Sequence, residues 1–162
     1  MPHQRNILTL RRTLIALSLA LLAACGENLS REELLDRARS ALAEGEVNAA
    51  VIDVKTALQN APGDAAGRRL YGEILLYQRQ LPQAAEEFRR SLDASFDPPV
   101  AIVYAQTLVD GGEHQQLLEL ISGEFFEAVS DNPAFLAARA RAEAAEGNYF
   151  AAVDMLDQAE AA

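Results

Sequence analysis

The sequence predicts an all-α fold, a solenoid of helix pairs stacked one after another. Three observations predict it. A phrase recurs along the 162-residue chain: Gly45-Glu46-Val47-Asn48-Ala49-Ala50, Arg79-Gln80-Leu81-Pro82-Gln83-Ala84, Gly112-Glu113-His114-Gln115-Gln116-Leu117 and Gly147-Asn148-Tyr149-Phe150-Ala151-Ala152. From Ala50 to Ala84 to Leu117 to Ala152 the steps are 34, 33 and 35 residues. That is the period of repeats that each bury an apolar face against the next unit. Between the phrases, apolar residues fall at helical spacing, and Gly, Pro, Asp and Asn stand where helices would start and stop. Architectures of this kind usually bind other proteins.

Residues 1–24 stand apart from the rest. They hold no acidic residue, and Arg5, Arg11 and Arg12 precede the apolar run Leu14-Ile15-Ala16-Leu17-Ser18-Leu19-Ala20-Leu21-Leu22-Ala23-Ala24. A run this short behind a basic head reads as a secretory signal, because a spanning helix needs about 20 apolar residues. The Arg11-Arg12 pair raises the twin-arginine route, but Leu10 stands where that signal usually has Ser or Thr, so ordinary secretion is the reading. The whole chain carries 14 basic and 24 acidic residues, net −10; without residues 1–24, 11 basic residues remain and the net is −13. Such a balance argues against nucleic acid, whose phosphates need neutralising, and against adhesion to anionic lipid headgroups.

Cys25 is the only cysteine. It follows the small-residue end of the signal run, so it enters no core and has no partner for an internal disulfide. Leu22-Ala23-Ala24-Cys25 resembles the bacterial lipobox. That resemblance implies cleavage before Cys25, lipidation of its thiol and acylation of the new amino terminus. Buried methylenes contribute about 0.8 kcal/mol each, so two or three chains anchor durably where one does not. Gly26 stands where an Asp would retain such a lipoprotein at the inner membrane, which implies the outer membrane, facing the periplasm. Residues 25–29 then form the lipidated cysteine and a short tether that keeps the array close to the bilayer.

The array is expected over residues 30–162. Ser30-Arg31-Glu32-Glu33 reads as a capping box with Leu29 and Leu34 as its staple, opening a helix over about 31–44. Gly45 ends that helix, and a second runs over about 47–60. Pro62-Gly63-Asp64 makes a turn in which Asp64 caps the next helix. Helices follow near 65–78 and 82–94, with Pro82 in a first turn where a missing amide is harmless. Asp97-Pro98 caps the third repeat, which turns at Gly111-Gly112. Its second helix, from about 114, is the weakest element: Leu117 replaces a small residue and Gly123 interrupts the apolar run, so a kink or a shortened helix is expected. Asn132-Pro133 opens the fourth repeat, which turns at Gly147-Asn148.

This pattern resembles the tetratricopeptide repeat, which has a small residue at position 8, Ala at 20, a large apolar residue at 24 and Pro at 32. Ala38, Ala50, Val54 and Pro62 match in the first repeat, Gly72, Ala84 and Phe88 in the second, and Ala140, Ala152 and Leu156 in the fourth. Position 4 lacks the family's Trp: Leu34 and Leu136 serve there, and Arg68 departs from the pattern. The resemblance covers about 130 residues. It implies a right-handed α-solenoid with repeats at about 31–64, 65–97, 98–132 and 133–162, the last of them truncated. The stretch from Gly45 to Asp64 also looks like the first repeat of the tetratricopeptide lipoproteins that accompany exosortase/PEP-CTERM and exopolysaccharide systems. Those proteins are much longer. The chain stops at Ala162 inside a helix with no polar capping helix, which reads as a fragment, an imperfect end being the other reading.

No catalytic constellation assembles from these residues, and no cofactor or metal is expected. There is no phosphate loop or paired-cysteine motif, and His114 beside a turn reads as solvated. The carboxylate pairs Glu32/Glu33 and Glu86/Glu87 lie among arginines and read as solvated helix faces, with Glu33–Arg37 and Glu86–Arg90 as i,i+4 pairs of about a few tenths of a kcal/mol each. The resemblance places the first-helix positions 2, 5, 9, 12 and 13 on a concave groove. Arg39, Arg69, Glu73, Tyr77, Gln106 and Arg141 fall there, as do Leu42, Leu76 and Val109. Arg69, Glu73 and Tyr77 share one helix face. They are candidates to grip a protein or peptide, with Tyr77 as anchor and the arginines reading carboxylates. The alternative is that Arg39 and Glu73 simply pair with each other. The expectation is a non-enzymatic, membrane-anchored scaffold of an envelope export or polysaccharide system. A pilotin, an outer-membrane assembly lipoprotein, or the non-catalytic start of a longer enzyme are the other readings.

Overall fold

The structure, a computed structural model, describes residues 29–121 and 123–161, with the side chains of all of these except Glu124 and Phe125. The signal segment, Cys25 and most of the tether therefore lie outside the described residues. Arg31–Ala162 forms one compact unit. Among the described residues it contains nine helices and no strand: α1 (Arg31–Ala43), α2 (Val47–Asn60), α3 (Ala65–Tyr77), α4 (Leu81–Ala94), α5 (Pro98–Asp110), α6 (His114–Leu120), α7 (Glu124–Glu127), α8 (Pro133–Ala145) and α9 (Tyr149–Ala161). This is an all-α solenoid of helical repeats. Within pairs, α1 lies on α2, α3 on α4 and α8 on α9; between pairs, α2 meets α3 and α4 meets α5.

Each first helix ends by the same device. Gly45, Arg79, Gly112 and Gly147 have φ of 80°, 60°, 82° and 85°, the left-handed geometry of a helix stop. In each case the following amide donates back five residues: Glu46 to Ala41 O, Gln80 to Leu75 O, Glu113 to Leu108 O and Asn148 to Glu143 O, all at 2.8–2.9 Å. The turn amide itself donates to the carbonyl three residues back. Both bonds satisfy carbonyls that the helix leaves unpaired. The recurring phrase in the sequence is this stop. Among the described residues, Arg79 is the one that enters the left-handed region with a side chain attached.

Small residues at position 8 let the paired helices close. Ala38, Gly72, Ala105 and Ala140 hold that place, and all are buried. Gly72 lies directly against the ring of Phe88, while Ala38 and Val54 fill the same two positions in the first repeat with no exposure. The core continues through Leu75, Leu92, Tyr104 and Leu108 to Phe126 and Phe135.

The caps came out unevenly. Asp64 accepts from Gly67 N at 2.8 Å, and Asn132 accepts from Ala134 N and Phe135 N. Asp97 occupies the cap position but makes no side-chain cap bond. An N-cap oxygen normally takes the amide of the second or third helical residue. Here the second is Pro99, which has none, and the carboxylate turns instead to Arg69.

Two charged residues also depart from expectation. Glu87 was expected on a solvated face, but it is buried, accepting from Arg68 Nη1 at 2.7 Å and Arg90 Nη1 at 3.3 Å. Arg68, which broke the repeat pattern at position 4, exists to meet it: its Nε also donates to Pro62 O at 2.9 Å. Arg37, expected beside Glu33, reaches across to buried Asp53 with two hydrogen bonds. Glu86 and Arg90 do pair along the helix at 2.8 Å.

The third repeat is the loose one, as Leu117 and Gly123 suggested. Its second helix stops at Leu120 after seven residues, and a single turn, α7, follows Gly123. Leu117 is fully buried where the other repeats have Ala. Of the four helix pairs, α5 and α6 are the least joined. Phe126 of α7 is buried in the core beside this short helix. Its ring stacks on Tyr104 with centroids 6.0 Å apart and on Phe135 at 5.2 Å, within the range where aromatic pairs contribute beyond their area.

Candidate binding groove

The structure brings together three of the six groove residues expected from the sequence. Arg39 from α1 and Arg69 and Glu73 from α3 line one cleft of about 270 Å³, floored by Ala66 and Leu70. Neighbouring repeats thus both contribute to it. Tyr77 ends α3 two turns beyond Arg69 on the same face and is 62% exposed. Gln106 and Arg141 sit on α5 and α8 and do not line this cleft. Val109, expected on the groove surface, is buried instead, because α8 packs directly on α5 where α6 is short.

Each cleft arginine already holds a carboxylate. Arg69 Nε donates to Glu73 Oε1 at 2.8 Å, and its Nη1 donates to Asp97 Oδ2 at 3.0 Å. Arg39 Nη1 donates to Asp36 Oδ1 at 2.6 Å rather than to Glu73, so the direct Arg39–Glu73 pair is not what the structure contains. Arg141 Nη2 donates to Asp110 Oδ1 at 2.8 Å, joining α8 to the end of α5. The Glu73 hydrogen bond, with the Asp97 charge behind it, raises the Arg69 pKa above its usual value against an opposing effect of burial. Arg69 is therefore a permanent cation.

These pairs orient the guanidinium groups without locking them. All their members are between about two-fifths and three-quarters exposed, and ion pairs in that setting contribute about 0–1 kcal/mol. An incoming carboxylate can replace Asp36 or Asp97 at little cost, and gains two forks already held in place. Asp36, Asp97 and Asp110 were missed as groove residues. Asp97 read only as a cap, and a spacing of 28 residues from Arg69 gives no local signal.

A second cleft, of about 490 Å³, lies between α1 and α2, lined by Arg37, Ser40, Glu44, Glu46, Ile52 and Asp53. Its one cation is committed to buried Asp53, and its rim is acidic. Among the described residues no group of three or more His, Cys, Asp or Glu is placed to hold a metal, and no helix is long and apolar enough to cross a membrane. His114, expected in solvent, is half-buried at the start of α6.

Similarity to known proteins bears on the fold. No family model matches the chain. Nor does any curated protein. Among solved structures, the crystal structure of MamA is similar, with a TM-score of 0.73 and 16% identity over 88% of this chain and 82% of that one. MamA contains tetratricopeptide repeats. Likeness at that identity shows the fold alone: the chain has a tetratricopeptide-like helical-repeat fold.

Proposed function

We propose that the chain is a membrane-anchored periplasmic scaffold without catalytic activity, holding a protein or peptide segment of an exopolysaccharide or exosortase-type export system in the Arg39–Arg69–Glu73 cleft. The observation that carries this reading is the cleft itself. Two successive repeats present two oriented, weakly engaged guanidinium groups with an exposed tyrosine one helical turn beyond Glu73. Arginine and tyrosine are among the residue types over-represented where proteins bind one another. A partner segment with carboxylates spaced to meet both arginines, and an apolar side chain for Tyr77, fits that arrangement.

The anchor rests on Leu22-Ala23-Ala24-Cys25 and its likeness to the lipobox, and the outer membrane on Gly26. The export system rests on the likeness of the stretch from Gly45 to Asp64 to the repeats of lipoproteins from such systems.

Two measurements test the reading. Arg69→Glu combined with Tyr77→Ala should lower crosslinked partner recovery from intact envelopes by at least about tenfold, equivalent to 1.4 kcal/mol; undiminished recovery would remove the groove. Cys25→Ser should abolish incorporation of labelled fatty acid and release the protein from the membrane fraction. Labelling that survives this substitution would end the lipoprotein reading.

A further inference from the structure

The tyrosines at position 7 of the second and third repeats stand in different company. Tyr71 carries a lysine: Lys55 of α2 places its Nζ 5.5 Å from the ring centroid, within cation–π reach. Lys55 holds position 25 of its repeat, and the residue at that position ahead of Tyr104 is Arg89. Arg89 is taken up by acids of its own helix, donating to Glu86 at 2.9 and 3.0 Å and to Asp93. Among the described residues no cation stands over the Tyr104 ring.

Beside Tyr104 is a cleft of about 190 Å³ between α4, α5 and the start of α6. Ala85 and Leu108 supply an apolar wall, and exposed Glu113 and Gln116 the polar side. Tyr104 is 2% exposed, and polar groups so buried are ordinarily hydrogen-bonded. Its hydroxyl makes no hydrogen bond among the described residues, yet it is not sealed off, so the surface that Tyr104 keeps includes this oxygen. The charges of Arg89 and Glu86, which both line the cleft, act on the phenol, and that puts its oxygen on the cleft side of the ring.

Size and charge select the occupant. Pockets that take a whole small molecule hold roughly 300–1,000 Å³, so this cleft suits one long side chain. Glu86 and Asp93 are matched by Arg89 and Arg90, whereas Glu113 has no ion pair among the described residues. The groups open to an occupant are acceptors: the Tyr104 oxygen, the Glu113 carboxylate and the Gln116 amide oxygen. An ammonium on an apolar stem matches them, since it has three donors and no acceptor. Acceptors drawn from α5, the cap of α6 and α6 itself suit its diverging donors better than the planar fork of a guanidinium. We propose that this cleft docks a lysine side chain of a partner protein. Composition argues against a second copy as the source, because Lys55 is the only lysine and already lies on Tyr71. The site lies between successive repeats and shares no residue with the Arg39–Arg69 cleft.

The test follows the tyrosine ring signals of the full chain by NMR as Nα-acetyl-lysine methylamide is added, with the norleucine and arginine counterparts for comparison. Tyr104→Phe identifies the Tyr104 signal. The lysine compound should shift that signal saturably, and the norleucine compound, lacking the ammonium, should bind at least about tenfold more weakly. Glu113→Gln and, followed at the Leu108 methyl groups, Tyr104→Phe should each weaken the lysine compound by at least about tenfold. Phe keeps the ring and its stacking on Phe126, so the thermal midpoint should not fall. The proposal would be overturned by the absence of a saturable shift at Tyr104, by equal binding of norleucine, by tighter binding of arginine, or by undiminished affinity in either variant. A concentration-dependent dimer in sedimentation that Lys55→Gln dissociates would also overturn it, because a second copy would then be the occupant.

Discussion

The ring of Phe88 stands where a methyl group on residue 72 would be. A Cβ built on Gly72 falls 2.7 Å from Phe88 Cε1 and 2.9 Å from Cδ1, well inside van der Waals contact. Phe88 is 1% exposed, so the ring has no free volume to move into. Gly72→Ala should therefore lower unfolding stability by about 1–3 kcal/mol, the usual range for overpacking, measured by urea denaturation. Adding Phe88→Leu should recover part of that loss, a coupling that two independent sites would not show.

Arg79 should prove a weak point of the helix stops. A side chain in the left-handed region costs about 1–2 kcal/mol, partly offset because Gly loses about 0.5–1 kcal/mol more entropy on folding. Arg79→Gly should raise stability by up to about 1 kcal/mol. Gly45→Ala, at φ 80°, should lower it by a similar amount. Gly63→Ala meets no atom within 4 Å and needs no positive φ, and it serves as the control, expected to be neutral or slightly stabilising. Urea midpoints of the three variants decide the order.

The Arg68–Glu87 pair should act as a buried unit. Arg68→Ala leaves the Glu87 carboxylate buried, with only the longer contact to Arg90 at 3.3 Å beside it. Breaking such a pair from one side should cost about 2–4 kcal/mol, while Arg68→Met with Glu87→Leu should lie close to wild type. If the double variant were as unstable as the single one, packing around the stem of Arg68 would be the larger effect.

Stability should fall at both ends of the pH scale for named reasons. The hydrogen bond from Arg89, with a further one from Arg90, lowers the Glu86 pKa. The folded state then sheds this proton more readily than the unfolded one. The resulting stability is present above about pH 4.3 and fades as pH falls through the folded value. Burial raises the Tyr104 pKa above 10. The folded state keeps that proton longer, so the contribution is present below about pH 10 and is lost as pH rises through the folded value. Arg89→Ala should bring the Glu86 carboxyl titration, followed by carbon NMR, up toward the ordinary glutamate value.

Much of this was legible in local spacing. The 34-residue beat marked the stops, and Leu117 with Gly123 marked the broken helix, because each is a property of neighbouring residues. The misreadings concern residues whose surroundings come from another repeat. Val109 has groove spacing, yet α8 covers it because α6 is too short to intervene. Glu87 resembles its half-buried neighbour Glu86 until Arg68 arrives from α3. In the groove, the sequence-derived face carried Arg39, Arg69 and Glu73 into one cleft but gave no sign that Asp36 and Asp97 would already hold the arginines.

The short α6 bears on how the array comes apart. In nearest-neighbour terms, the third repeat has a poor intrinsic stability, since α5 and α6 hold each other weakly. Its interface with the fourth is strong, because both α5 and α6 pack on α8. A unit so composed cannot melt by itself; it survives only while its neighbour is folded. Amide exchange at Leu117 and at Phe135 should then report one shared opening free energy, and destabilising α8 should release both repeats together.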